Sequence, residues 1–212
     1  MRTVAGNMDR KRRFGAVIPA AGMSSRMRSF KPLLPFRDST VIECAVEAVL
    51  KAVPTAVVVL GNKADEVERV LKKRFGDRLT IVRNPDYRTT DMLRSVQIGL
   101  DTLQECDAFF LLPGDMPAVG SETLEALVRE FDGRNMVIFP TCNHRKGHPP
   151  LIHASMIPAI RNYRGEGGLR AVFRDVPQRL IELSDTGITA DLDTPKDYAE
   201  IINQTPHDRG VR

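Results

Sequence analysis

One stretch near the amino terminus combines residue types that are suited to binding a triphosphate. It spans residues 16–36 and reads AVIPAAGMSSRMRSFKPLLPF. Small side chains around Gly22 let an anion approach backbone amides, and amides in a concave loop favour negative charge. Arg26 offers a planar fork and Lys31 a point charge for phosphate oxygens. The candidate nucleotide-binding residues of this stretch are Ala20, Ala21, Gly22, Met23, Ser24, Ser25, Arg26 and Lys31.

Two better-known phosphate loops do not account for this stretch. The P-loop needs a second glycine directly before Lys-Ser or Lys-Thr, whereas Lys31 lies between Phe30 and Pro32. The dinucleotide pattern needs three spaced glycines, and residues 16–36 contain only Gly22. The plainer alternative is a strand followed by an ordinary basic surface loop. In the phosphate-loop interpretation too, Lys31 is expected to be an exposed loop lysine that contributes little to folding.

Acidic residues that can hold a divalent cation occur at two places. Asp115 follows a hydrophobic run in a Pro-Gly-Asp-Met-Pro turn. A carboxylate at a strand end suits Mg²⁺, which prefers one or two carboxylates together with phosphate and water. Asp191 and Asp193 form a second cluster in the segment DLDTPKD. The structural alternatives are that Asp115 serves the turn and that Asp193 or Thr194 caps the last helix.

Apolar runs alternate with amphipathic segments along the chain, which predicts an α/β sandwich. The runs are continuous, so the central sheet should be mostly parallel and covered on both faces. Ligands of such sheets bind at the carboxyl ends of the strands, where the Gly22 and Asp115 loops should converge. Predicted strands are 14–18, ending at Pro19, then 57–60, 79–82, 109–112 and 137–140, with edge strands at 151–153 and 179–183. Predicted helices follow Thr40 and Thr194 and cover parts of 67–71, 91–103, 124–131 and 168–174, while 141–150 is predicted to be a polar loop.

Three of these segments resemble motifs of the nucleotidylyltransferases with a glycosyltransferase-A-like fold. Residues 20–31 resemble that family's AAGxSxRMxxxK phosphate loop. Residues 114–117 resemble its metal-binding GDMP turn, and residues 191–197 its closing DIDTPED segment. The resemblance extends from about residue 14 to residue 202 with its motifs in a consistent order, which is far more specific than any one motif.

Two further segments resemble the molybdenum cofactor cytidylyltransferase-like branch most closely. Residues 91–100 are similar to the GMSSSLxxGL segment near the base and sugar, which implies that Met92 and Ser95 contact the nucleotide. Residues 147–149 are similar to the GHP loop beside the acceptor. The resemblance implies that Gly147, His148 and Pro149 contact the acceptor and that Lys31, Arg26 and Asp115 are catalytic. It also implies that the metal is bound by Asp115, Asp191 and Asp193, and Asp191 is a stronger candidate than Asp193.

The function that the resemblance implies is Mg²⁺-dependent nucleotidyl transfer. The expected donor is CTP, the expected acceptor is molybdopterin, and the expected by-product is pyrophosphate. A fused or partner domain of molybdoenzyme maturation is also consistent with this branch. Sugar-1-phosphate nucleotidylyltransferases are an alternative within the class. Arg28, Asp91 and Arg94 depart from the family pattern, which leaves a non-catalytic nucleotide-binding accessory module as an alternative of another class.

Composition and charge exclude several classes of protein. The chain has 212 residues, and 42% of them are hydrophobic, which suits a single domain. This domain is predicted to cover residues 14–203. Residues 1–13 are predicted to be a disordered basic tail, and residues 204–212 a tail or linker. A net charge of +4 without tryptophan argues against nucleic-acid binding. No apolar run reaches the length of about 18 residues that spans a bilayer. The three cysteines are far apart, so neither a disulfide framework nor a zinc site is expected.

The expected location of the protein is the cytoplasm. Arg12 and Arg13 before an apolar segment superficially resemble a twin-arginine export signal. The apolar segment is short, however, and it contains Pro19 and is followed at once by Arg26 and Arg28. An export signal is therefore disfavoured.

Overall fold

The computed structural model describes residues 12–23, 27 and 29–204. Strands and helices alternate through this part of the chain, as the continuous apolar runs predict. The strands are β1 (Phe14–Ala20), β2 (Pro35–Phe36), β3 (Ser39–Thr40), β4 (Ala56–Leu60), β5 (Leu79–Arg83), β6 (Ala108–Leu111), β7 (Val137–Cys142), β8 (Arg145–Lys146), β9 (Leu151–His153) and β10 (Gln178–Glu182). The helices are α1 (Val41–Ala52), α2 (Ala64–Phe75), α3 (Met92–Thr102), α4 (Ser121–Glu130), α5 (Ile157–Asn162), α6 (Gly168–Val172) and α7 (Pro195–Gln204).

Eight strands form one mostly parallel sheet. Seven of them follow the order β10-β7-β9-β6-β1-β4-β5, and β8 pairs with β7 outside this path. Strand β1 lies in the middle and pairs in parallel with β4 and β6, while β5 extends the sheet beyond β4. Strand β9 runs antiparallel to both of its neighbours. The strands β2 and β3 form a separate small hairpin.

Helices cover both faces of the sheet and make three layers. Alternate strand residues point to opposite sides, so Ile18 packs with the helices α1, α2 and α4, whereas Val17 packs with α3, α5 and the segment after α6. The same alternation places Phe110 on the first side and Phe109 on the second. Both phenylalanines are completely buried. The prediction of an α/β sandwich with a mostly parallel sheet is confirmed.

Three local predictions are wrong. Strand β1 does not end before Pro19 but continues to Ala20, because β1 hydrogen-bonds to β4 in the register that sets Pro19 beside Val59. Strand β9 is not an edge strand, since it lies between β6 and β7. Residues 141–150 are not a plain polar loop, because β7 extends to Cys142 and turns into β8. The predicted edge position of β10 is confirmed.

The carboxyl-terminal helix α7 closes the fold beside the small hairpin. Ile201 and Leu192 pack against Phe36 and Val41 in a third apolar cluster. The Tyr198 hydroxyl donates a hydrogen bond of 2.5 Å to the carbonyl of Pro35. These contacts bring the acidic segment before α7 to the edge of the sheet. Among the described residues, no helix is both long enough and apolar enough to cross a membrane.

Candidate active site

The Asp115 turn packs directly on the end of β1. The amide of Gly114 donates a hydrogen bond of 3.0 Å to the Pro19 carbonyl. A Cβ atom at Gly114 would lie 2.6 Å from Cδ1 of Ile42 and 2.9 Å from Cβ of Ala20, so glycine is required for this close approach. The turn therefore holds Asp115 beside the loop that follows β1, and the predicted convergence of the two loops is found.

Lys31 joins the two acidic segments. Its Nζ atom lies 2.9 Å from Oδ1 of Asp193 and 3.4 Å from Oδ2 of Asp115. Lys31 begins a short 3₁₀ turn, Lys31–Leu33, and is only 8% exposed, so the prediction of an exposed loop lysine is wrong. Burying this ammonium group is compatible with folding because two carboxylates compensate its charge.

Backbone contacts hold the segment of Asp191 and Asp193 against the Asp115 turn. The amide of Leu192 donates to the Asp115 carbonyl over 3.3 Å, and the Leu192 side chain is fully buried. Thr194 caps α7: its Oγ1 accepts from the Asp197 amide over 3.2 Å, and its amide donates to Oδ2 of Asp197 over 2.7 Å. The structural alternative thus applies to Thr194, and Asp193 faces Lys31 instead of capping the helix.

The electrostatics of Asp115 reflect its position in a crowded acidic site. Burial raises the pKa of the Asp115 carboxyl above its ordinary value, the Lys31 ammonium opposes this shift, and the charge of Asp191 adds to it. Both the Lys31 ammonium and the Asp191 carboxylate therefore lie close enough to Asp115 to act on its carboxyl group.

The acidic site fits a hard divalent cation. Carboxylate oxygens are the ligands that Mg²⁺ prefers, and this ion needs only one or two of them when phosphates and waters complete its shell. In the described part of the chain, no group of three or more His, Cys, Asp and Glu side chains is arranged to hold a metal ion. A cation shared between one or two of these carboxylates and a substrate phosphate is the arrangement that these residues suit.

A cleft runs from the Asp115 turn along the loop after β1. Its two connected parts have volumes of about 110 and 120 Å³, and both are lined by Pro19, Gly22 and Met92. Lys31 and Asp115 line the first part, whereas Ser95 lies in the second. The remaining lining residues are Ala20, Pro32, Pro113 and Gly114 in the first part and Ala21, Tyr87, Thr90 and Asp91 in the second.

The side chains along this cleft suit a nucleotide. Met92 lines both parts of the cleft and is 50% exposed, which gives a base or sugar a soft apolar surface. Met23, which follows Gly22 in the chain, is also 50% exposed. A Cβ atom at Gly22 would meet no described heavy atom within 4 Å, so there is open space in front of this backbone. The predicted residues Ser24, Ser25 and Arg26, and the departure at Arg28, lie outside the described residues.

Asn84 is a site residue that the sequence did not reveal. It is 2% exposed at the end of β5, and its Nδ2 donates to Oγ of Ser95 and to Oγ1 of Thr90, each over 3.1 Å. Its Oδ1 accepts from the amide of Asp86 over 3.1 Å. Asn84 thereby ties residues 86–90 to α3 beneath the cleft. Ser95 lines the cleft and serves this network as well.

The departure at Asp91 has a structural reason. Its side chain accepts a hydrogen bond of 3.2 Å from the Arg94 amide and so caps α3, where the family pattern has glycine. Asp91 also lines the second part of the cleft. The substitution therefore preserves the helix at the cleft.

The GHP loop lies at the same edge of the sheet. Strand β9 is antiparallel to β6 and β7, so the loop that precedes it lies where those strands end. Gly147 is required there, because an added Cβ would lie 2.5 Å from the carbonyl oxygen of Ile188. The amide of His148 donates to this same carbonyl over 2.7 Å. The loop is thus fastened to the segment before Asp191.

His148 connects the acidic site with a second cavity. Burial lowers the pKa of the His148 imidazole, whereas a backbone hydrogen bond to Leu111 and the charges of Asp191 and Asp115 oppose this shift. Its Nδ1 atom is buried and has no hydrogen-bond partner among the residues that the structure describes. The cavity has a volume of about 400 Å³ and lies between the GHP loop and α6. Its lining residues are Leu111, Phe139, Lys146, Gly147, His148, Pro150, Leu169, Arg170, Phe173, Arg174 and Gln178.

Comparison with known proteins agrees with this geometry. The family described as MobA-like NTP transferase domain matches residues 16–182. A molybdenum cofactor cytidylyltransferase from Escherichia coli is 28% identical over 185 residues, which are 86% of this chain and 92% of that protein. A nicotine blue oxidoreductase from Paenarthrobacter nicotinovorans is 30% identical over 197 residues, with 88% and 95% of the two chains covered.

A solved structure shares the fold. The Rv0371c protein of Mycobacterium tuberculosis superposes with a TM-score of 0.77 at 22% identity, covering 91% of this chain and 98% of that one. The same protein in complex with manganese superposes with a TM-score of 0.73. The glycosyltransferase-A-like architecture expected from the sequence is therefore confirmed.

Proposed function

Because the chain belongs to the nucleotidyltransferase family of MobA-like NTP transferase domains, we propose that it transfers a nucleoside monophosphate from CTP to the phosphate of molybdopterin. The observation that carries this proposal is the meeting of Lys31 with Asp115 and Asp193 at the carboxyl edge of the sheet, beside the Gly22 loop. The choice of CTP and molybdopterin rests on the similarity to the cytidylyltransferase of Escherichia coli.

The reaction needs positioning and charge stabilisation more than covalent chemistry from the protein. An oxygen of the acceptor phosphate attacks the α-phosphorus of the donor. The bond between this phosphorus and the oxygen bridging to the β-phosphorus breaks, and the electron pair leaves with pyrophosphate. The acceptor phosphate is already ionised near neutral pH, so no side chain has to act as a general base.

Each part of the site has one task in this proposal. Lys31 and Arg26 bind the oxygens of the departing pyrophosphate, and the amides around Gly22 bind further phosphate oxygens. Asp115 and Asp191 hold a divalent cation, proposed to be Mg²⁺, and Asp193 orients Lys31. When bound, this cation neutralises charge on the phosphate oxygens. Met92 and Ser95 contact the nucleotide, and Gly147, His148 and Pro149 border the acceptor.

A panel of donors and acceptors tests the proposed function. Purified protein with Mg²⁺ or Mn²⁺ is incubated with CTP, GTP, ATP or UTP against molybdopterin and common sugar 1-phosphates, and pyrophosphate is followed. Turnover with CTP and molybdopterin supports the proposal, whereas turnover with sugar phosphates alone would replace the acceptor. Nucleotide binding without any turnover would favour the accessory module. Oxidation of NADH or NADPH is measured in parallel, since one relative carries the name of an oxidoreductase.

A further inference from the structure

The cavity behind His148 has an apolar floor and a cationic rim. Phe139 and Phe173 meet edge to face with ring centroids 6.3 Å apart, and Leu169 lies beside them. The cationic side chains at the rim are Lys146, Arg170 and Arg174. None of the described residues that line the cavity carries a carboxylate, although acidic residues surround Lys31 only a short way along the same edge.

The charges of Arg170 and Arg174 are not compensated by the fold. Neither guanidinium group has an ion-pair or hydrogen-bond partner within the described residues 12–23, 27 and 29–204. The two residues are four apart, and the hydrogen bond of the Phe173 amide to the Leu169 carbonyl keeps this part of the chain in a helical turn. Residues four apart on a helical turn share one face, so both arginines can serve one ligand.

The cavity offers few uncharged groups for binding the hydroxyls of a sugar: apart from Nδ1 of His148, its polar side chains are cationic or already engaged. Gln178 is the uncharged amide in the lining, and both ends of its side chain are already engaged. Its Oε1 accepts from Nζ of Lys146 over 2.7 Å, and its Nε2 donates to the Phe173 carbonyl over 2.5 Å. Recognition of hydroxyl groups depends on unengaged hydrogen-bonding side chains, whereas aromatic floors favour flat rings.

We infer that this cavity binds the body of the acceptor, and that Arg170 and Arg174 determine acceptor specificity by binding its negative charge. The inference rests on the proposed function, because His148 lines the cavity and also lies within the electrostatic influence of Asp115 and Asp191. The ligand is a flat aromatic ring system, and the anionic group that meets the two arginines is separate from the phosphate that attacks the donor. The ring packs against Phe139 and Phe173, and the anion meets the two guanidinium groups.

Direct binding tests this inference without any turnover. The probe is pterin-6-carboxylate, a flat, intrinsically fluorescent anion, and the readout is its fluorescence anisotropy in the absence of nucleotide. Arg170→Ala and Arg174→Ala should each weaken binding at least threefold and the double variant roughly tenfold, which is the scale of exposed charge-assisted contacts. Unsubstituted pterin, which lacks the carboxylate, should bind more weakly to the wild type. Glucose 1-phosphate, which has an anionic group but no flat ring, should displace the probe much less effectively than an excess of pterin-6-carboxylate does.

A matched control isolates the position of the charge. Arg129 lies on α4, on the opposite face of the sheet, so Arg129→Ala removes the same charge far from the cavity. This variant should bind the probe as the wild type does. Arg170→Lys and Arg174→Lys should retain more binding than the alanine variants, because they keep the charge and lose only the planar fork. Thermal unfolding of every variant shows whether the fold is intact.

The kinetic arm separates this inference from the proposed function. With an active donor and acceptor pair, the double alanine variant should raise KM for the acceptor roughly tenfold and leave KM for the nucleotide unchanged. If the double alanine variant is catalytically active but shows unchanged probe binding and an unchanged KM for the acceptor, the inference about the cavity would be overturned. The proposed transferase activity would not be affected. If the protein binds the probe through the two arginines but catalyses no reaction with any donor and acceptor, the inference about the cavity would be supported and the proposed transferase activity would be refuted.

Discussion

The cleft beside Asp115 and the cavity behind His148 open at the same edge of the sheet, yet the fold compensates their charges differently. In the cleft, Lys31 is buried and touches two carboxylates, so its charge is balanced before any ligand arrives. In the cavity, the described lining residues include no carboxylate that could compensate Arg170 and Arg174. The charge-compensated group around Lys31 suits a reaction step in which charge moves between a metal ion and phosphates. The uncompensated Arg170 and Arg174 suit the binding of an anion.

The largest effect should follow from Asp115→Asn. The amide is nearly isosteric with the carboxylate but lacks the charge that attracts a cation, so kcat should fall at least 100-fold, by analogy with the loss of other electrostatic contacts to the transition state. The Mg²⁺ concentration for half-maximal rate should rise as well. Binding of pterin-6-carboxylate should change little, because Asp115 does not line the cavity. A normal Mg²⁺ dependence of this variant would make Asp115 a turn residue.

Lys31→Ala should have the second largest effect. Loss of the ammonium group should cost about 2 to 4 kcal/mol in kcat/KM, as for other lost contacts to a leaving group. It should also lower the free energy of unfolding by about 1 kcal/mol, since it leaves Asp115 and Asp193 without their shared cation and both are partly exposed. Lys72→Ala on the exposed side of α2 is the control. Kinetics equal to the wild type would remove Lys31 from the site.

The aspartates 191 and 193 should differ from each other when each is changed to asparagine. Asp191 acts electrostatically on Asp115, so Asp191→Asn should mainly raise the Mg²⁺ requirement. Asp193 contacts Lys31 directly, so Asp193→Asn should mainly raise KM for the nucleotide. A titration of rate against Mg²⁺ and against CTP separates the two effects. Indistinguishable profiles for the two variants would mean that both carboxylates act as one set around Lys31.

The smallest effect should come from Thr194→Ala, which removes the cap of α7. The free energy of unfolding should fall by about 1 kcal/mol, the usual loss for a helix cap, and the Mg²⁺ requirement should stay as in the wild type. Urea unfolding and a Mg²⁺ titration of the same preparation measure both quantities. A raised Mg²⁺ requirement would show that the cap positions the acidic segment and is not separate from the site.

The sequence predicted the cleft better than the cavity for a physical reason. The cleft is built from loops that directly follow strands β1 and β6, and small residues and acids at strand ends are visible in a local window. The burial of Lys31 was not predicted, because it depends on contacts with residues 84 and 162 positions away in the chain. The hydrogen bonds of Asn84 were not predicted for a similar reason, because its partner Ser95 lies in the following helix, α3.

The cavity is formed by residues that are far apart in the sequence, so a short stretch of sequence does not reveal it. Its floor requires β7 and α6 to meet, and its position requires β9 to insert between β6 and β7 instead of lying at an edge. The available local signal was the spacing of Arg170 and Arg174 on either side of Phe173, which predicts two cations beside an aromatic ring on one helical face. The continuous apolar runs, in contrast, were sufficient to predict the layers of the fold.

Following the α-phosphorus of the donor is the most direct measurement of the proposed transfer chemistry. The protein is incubated with Mg²⁺, molybdopterin and CTP labelled at the α-phosphorus, and the products are separated and counted. Transfer predicts the label in the nucleotidylated acceptor, one equivalent of pyrophosphate for each labelled product, and at least 100-fold slower formation of both products with Asp115→Asn. Label recovered as free CMP or CDP, or a labelled acceptor formed equally well by Asp115→Asn, would contradict it.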